Sequence, residues 1–135
     1  MTSVDAAIVH PYEGACTGSR ADHAPAIRGV LDRIGDKWSL LVIGTLREST
    51  LRFSELQRHI PGISQRMLTL TLRQLERDGL VTRTVYAEVP PRVEYALTDR
   101  GRTLVDVAVE LAKWSVEHFP AIERSRADYD RTHAA

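Results

Sequence analysis

Gln65, Arg66, Thr69, Arg73 and Arg77 form the group with the clearest chemical capacity in this chain of 135 residues. Their spacing of three and four residues puts them on one face of a helix. Arginine presents a planar fork of N–H donors, which suits paired acceptors such as phosphate oxygens or the N7 and O6 edge of guanine. Glutamine can pair with an adenine edge in the same way, and threonine can donate or accept. Leu68, Leu72 and Leu75 recur at the same steps on the opposite side. One face is therefore built to be buried and the other to meet something anionic.

These side chains need a scaffold, and the flanking sequence supplies one. Residues 53–60 suit a short helix with Phe53, Leu56 and Ile60 on its inner face. Pro61-Gly62 breaks that helix, because proline cannot continue the ladder and glycine turns freely. Ser64 follows as an N-cap for the second helix, which runs to about Asp78, and Gly79 ends it in the left-handed conformation. Two alternating segments, 81–86 and 92–97, suit strands joined around a Pro90-Pro91 corner. Residues 49–52 suit a small third strand beside them. Helix, tight turn, helix and hairpin make a winged helix-turn-helix, whose usual partner is the major groove of double-stranded DNA.

On that reading Arg66, Thr69 and Arg73 are the candidates for base contact, with Gln65 beside them. Ser64 is placed to meet a phosphate at the helix N-terminus. Arg83 and Arg92 are the candidates on the wing, and Arg52 and Ser54 those near the helix entry. Charge distribution agrees. The whole chain carries 18 basic and 18 acidic residues, so it does not coat nucleic acid by bulk charge. Residues 47–83, however, hold seven arginines against four carboxylates, an excess of three.

The remaining segments extend the domain. Residues 1–24 show no sustained period and are expected to be a flexible arm. Pro25 suits the first turn of a helix whose stripe of Ile27, Val30, Leu31 and Ile34 stops at Gly35. Asp36 is placed to cap a central, largely apolar helix over 37–48. A long last helix is expected to begin at Thr98-Asp99-Arg100-Gly101 and to end at Pro120. Its apolar face is too broad for one small domain. A charged tail then follows over 120–135. The expected organisation is thus an arm at 1–24, a winged-helix domain with dimerisation helices at 25–119, and that tail. The fold class is α+β, mostly helical. Trp38, Leu111 and Trp114 suit packed core or dimer-interface positions, or the lining of a pocket for an aromatic effector.

Several blocks together resemble the HxlR-type winged-helix regulators. They are Ile34-Gly35-Asp36-Lys37-Trp38, Arg52-Phe53-Ser54-Glu55-Leu56, Pro61-Gly62-Ile63-Ser64 with the helix that follows, and Tyr86 to Thr98. The resemblance covers roughly residues 26–119. It implies a bacterial, homodimeric, DNA-binding regulator of transcription, with repression ahead of activation. The implied dimer interface is made from the N-terminal region and the last helix. It also implies a cysteine just before the first helix that senses oxidants or electrophiles. Here that position falls near His23 to Pro25, and the one cysteine, Cys16, lies upstream. Cys16 is either incidental or a redox sensor.

Other functions find less support. No apolar run approaches the roughly 18 residues that span a bilayer, and no secretory signal is visible, so a cytoplasmic protein is expected. The five histidines form no pair at ligand spacing, and neither a metal nor a cofactor is expected. A Cys16–His23 pair on a flexible arm has no oxyanion hole or closed pocket, so no enzyme is expected. The rival reading is a winged helix that binds proteins through the same face without binding DNA.

Overall fold

A computed structural model of the protein describes residues 23–134. The arm expected over 1–24, Cys16 included, lies outside them apart from its last two positions. The chain divides between Ser39 and Leu40 into two compact units.

In the N-terminal unit, α1 spans Ala24–Ile34 with proline in its first turn, where the missing N–H costs nothing. Ile27 and Ile34 are half-buried, whereas Val30 and Leu31 are 51% and 48% exposed. Gly35 ends the helix at φ −76°, not in the left-handed region. Its N–H donates to the Leu31 carbonyl at 2.7 Å, and a Cβ there would press into that same oxygen. Glycine is required by close approach. Asp36 then acts as the expected cap. Its Oδ1 accepts the Trp38 and Ser39 amides at 2.7 and 2.8 Å, and its Oδ2 accepts the Ser39 hydroxyl at 2.8 Å.

The helix that follows, α2 (Ser39–Thr45), is shorter than the 37–48 its composition suggested. The Asp36 carboxylate occupies the first amides, so the regular turns start two residues later. At the far end Arg47 Nη1 donates to the Gly44 carbonyl at 2.6 Å, which closes the last turn.

The second unit holds the helix-turn-helix. A two-residue strand β1 (Leu51–Arg52) leads into α3 (Phe53–His59), and α4 (Gln65–Arg77) follows the turn. The hairpin strands β2 (Val81–Tyr86) and β3 (Arg92–Leu97) come next. The sheet is antiparallel in the order β1-β3-β2, with Leu51 opposite Tyr95 and Val81 opposite Leu97. The expected third strand is therefore real. Val42, Ile43, Leu56, Leu68 and Leu75 are fully buried, and Leu46, Leu72 and Val81 nearly so. Only the base of the hairpin joins this core: Val81, Tyr95 and Leu97 are buried, while Val85 is 52% exposed.

Both ends of α4 close as the sequence suggested. Ser64 Oγ accepts the Met67 amide at 3.0 Å. Gly79 sits at φ +76°, its N–H bonded to Glu76 O, and Leu80 N–H reaches Leu75 O at 2.9 Å. This pair of bonds is the Schellman closure, with Leu75 and Leu80 packed beneath it. The same corner is bonded onward. Thr98 Oγ1 donates to Gly79 O at 2.6 Å and accepts the Gly101 amide at 3.0 Å, and Thr98 N–H donates to Leu80 O at 3.1 Å.

Beyond the sheet, the single last helix expected from residue 98 is two. A one-turn α5 (Asp99–Arg102) precedes α6 (Val105–Thr132), which is 28 residues long. Pro120 lies inside α6 and does not end it. Proline removes the N–H that would bond the carbonyl of residue 116. Val116 is 80% exposed, so the lost bond falls on a solvent-facing side of the helix. His118 consequently stands in mid-helix. None of the helices among the described residues is long and apolar enough to cross a membrane.

Gly101 yields a direct test of the corner. It is buried, and a Cβ on it would collide with the Leu80 carbonyl oxygen, a backbone atom with little freedom to retreat. Gly101→Ala is expected to destabilise the domain by roughly 1–3 kcal/mol through overpacking. The shift in denaturant midpoint measures it, and an unchanged midpoint would show that the corner can give.

Candidate nucleic-acid interface

Successive helical residues are about 100° apart, so the burial of α4 fixes its azimuth. Leu68, Thr71, Leu72 and Leu75 face the core. Arg66, Leu70, Arg73 and Arg77 point the opposite way, and all are exposed. Among the described residues, no ion pair joins these three arginines to a carboxylate. They form a stripe of positive charge on a helix locked at both ends.

The flank of α4 nearest the sheet carries Gln65, Thr69 and Glu76. With Arg73 these residues wall a cleft of about 590 Å³ whose floor is Phe53, Leu72, Val93 and Tyr95. Arg83 closes the cleft from β2. Four of the residues singled out from sequence, Gln65, Thr69, Arg73 and Arg83, thus meet around one groove between helix and wing. Thr69 Oγ1 donates to Gln65 O at 2.8 Å, which commits its proton to the helix. Its lone pairs and methyl group remain for an outside partner.

The other candidates lie at the edges of this surface. Ser64 is exposed at the start of α4, but its oxygen is already engaged as the cap. Arg52 and Ser54 are exposed at the start of α3, where Glu55 Oε1 accepts the Arg52 amide at 2.8 Å. Arg92 is the most committed. Its Nη2 and Nε donate to Glu88 Oε2 at 2.9 and 3.2 Å, and its Nη1 donates to Glu94. Its guanidinium lies 3.8 Å from the centre of the Tyr86 ring, a cation–π distance. Arg92 therefore clamps the two strands of the wing near its tip. The hydrogen bond from Arg92 holds the Glu88 carboxyl below the usual range; desolvation opposes it, and the charges of Arg92 and Arg52 add smaller lowering effects.

Two further candidates belong to α6. Leu111 and Trp114 are 49% and 53% exposed one turn apart, and the Trp114 ring lies 4.6 Å from that of His118. Val107 and Phe119 are also substantially exposed. Trp38, in the N-terminal unit, is half-buried with Lys37 Nζ 5.3 Å from its ring centre. Leu70 was not singled out from sequence. Counting phase from Leu68 would have found it, since two residues along a helix is nearly half a turn.

Comparison with known proteins gives this geometry relatives. The model of the HxlR-like helix-turn-helix family matches residues 33–123. An HTH-type transcriptional regulator of Methanothermobacter thermautotrophicus is 51% identical over 89 residues, which is 66% of this chain and 68% of that protein. The HTH-type transcriptional regulator YdeP of Bacillus subtilis is 44% identical over 101 residues, 75% of this chain and 79% of its own. Among solved structures, the redox regulator HypR in its reduced form superposes with a TM-score of 0.68 at 42% identity. That match covers 73% of this chain and 98% of HypR.

The wing clamp can be tested apart from any ligand. A carboxyl with a lowered pKa keeps its ion pair above the ordinary carboxylate range and loses it as pH falls through the lowered value. The Glu88 side-chain carbon, followed by NMR, is therefore expected to titrate at lower pH in the wild type than in Arg92→Ala. Equal midpoints would mean that Arg92 does not hold it.

Proposed function

Because this chain belongs to the HxlR-like helix-turn-helix family of transcriptional regulators, we propose that it binds an inverted-repeat operator on double-stranded DNA as a homodimer. The observation that carries this reading is the outward stripe of Arg66, Arg73 and Arg77, exposed and without carboxylate partners among the described residues. Guanidinium forks projecting from a fixed helix suit base edges and phosphates in the major groove. Gln65, Thr69 and Arg83 add contacts along the cleft, and Arg52, Ser54 and Ser64 flank it. Arg92 serves chiefly by holding the wing in shape beside the DNA.

Two apolar surfaces support the dimer. α1 leaves Val30 and Leu31 about half exposed, and α6 does the same with Val107, Leu111 and Trp114. Apolar area of this kind is stabilised by a second copy. Two recognition helices in successive major grooves would then stand about 34 Å apart. Repression follows from occupancy, since a dimer seated on a promoter excludes polymerase in the cytoplasm where both act. An aromatic effector bound at Leu111 and Trp114 would act if its binding favoured one separation of the two recognition helices.

Arg73→Ala is expected to weaken operator binding by roughly 1–3 kcal/mol with the fold intact. Gel shifts on genomic fragments at two salt concentrations measure this, with two protomers per bound duplex. Affinity insensitive to salt and to Arg73 would favour the protein-binding alternative.

HypR is by name a redox regulator, and Cys16, the single thiol of this sequence, is the group we propose for an oxidant response. Diamide is expected to change the DNA affinity of the wild type and leave Cys16→Ser unaffected. Equal affinities in treated and untreated samples of both proteins would remove Cys16 from regulation.

A further inference from the structure

Leu70 is an apolar side chain where the fold gives no reason for one. It is 47% exposed and points away from the core. Its neighbours on the same stripe, one turn before, one turn after and two turns after, are Arg66, Arg73 and Arg77. A second copy docking face to face on this stripe would set arginines against arginines, which costs several kcal/mol. A partner that answers both features must be negatively charged and must present an apolar group between its polar ones. The major groove does so at each A·T pair, where the C5-methyl of thymine projects beside the acceptor and donor edges of its neighbours.

We propose that Leu70 is a specificity-determining residue that packs on a thymine methyl group between the base or phosphate contacts of Arg66 and Arg73. The proposal rests on the DNA-binding reading above and deepens it. The arginines supply attraction to any duplex, whereas Leu70 adds discrimination without charge. Deoxyuridine offers a clean probe, because it keeps the pairing and the O4 acceptor of thymidine and lacks only the methyl.

A genomic fragment bound by the full-length protein is trimmed to its protected site, and each thymine is replaced in turn by uracil. The wild type is expected to lose about fourfold in affinity at one thymine per half-site, the worth of one buried methyl group. Leu70→Ala is expected to bind the thymine duplex weaker by a similar factor and to be indifferent to the replacement. Its thermal midpoint should match that of the wild type, since the side chain is not in the core. A wild type indifferent to every replacement, with Arg73→Ala still defective, would overturn the role of Leu70 and leave DNA binding standing. A Leu70→Ala protein that stays sensitive at the same thymine would overturn it as well. No duplex bound at low salt would remove the DNA reading itself, and the proposal with it.

Discussion

The burial of Leu68, Leu72 and Leu75 is the constraint from which the rest of the surface follows. Each is at most 2% exposed. Covering a leucine stabilises by about 1.5–3 kcal/mol. Turning α4 half-way round would expose all three and push arginines into the core, at several kcal/mol for each ion. No contact on the outside of the helix competes with that difference. The azimuth of α4 is therefore decided from within, and the arginine stripe faces outward whether or not anything is bound to it.

Orientation about the axis is not enough; the helix must also be fixed along its length and against the wing. That task falls to the corner after α4. Gly79 turns the chain, Leu80 closes the Schellman bonds, and Thr98 ties the corner to the end of β3 and the start of α5. Gly101 lets the two backbones touch. The outer half of the hairpin lacks core packing, since Val85 and Tyr86 are exposed, and there an ion-pair cluster takes over. Arg92, stacked on Tyr86 and bonded to Glu88 and Glu94, holds the strands where apolar contact has run out. The helix and the outer half of the wing are thus held by different physics, packing for one and charge for the other.

Much of this was legible in the sequence, because the signals were local. Period, caps and breakers at Ser64, Pro61-Gly62 and Gly79 located α4 within a residue or two, and alternation located both strands of the wing. The cleft was partly visible, since Gln65, Thr69, Arg73 and Arg83 were all named. What escaped depended on contacts that period does not encode. Composition extended α2 past both its ends, where the Asp36 carboxylate and the Arg47 side chain in fact terminate it. Proline was expected to stop α6, but a solvated helix face tolerates one lost bond. Arg92 reads in the sequence as a wing contact, with Glu88 and Glu94 nearby pointing to a partly structural role, and the hairpin brings both carboxylates onto its guanidinium. Leu70 was hidden by its type, because leucine in a helix suggests core unless its phase is counted.

The outward stripe of α4 carries none of the packing that holds the domain together. Substitutions at such exposed positions usually change stability by no more than about 0.5 kcal/mol. Positions 66, 70, 73 and 77 can therefore vary during evolution almost independently of folding, while the leucines beneath them and the glycine corner cannot. Duplicated copies of such a gene could drift to new target sites by single steps, each intermediate still a well-folded protein.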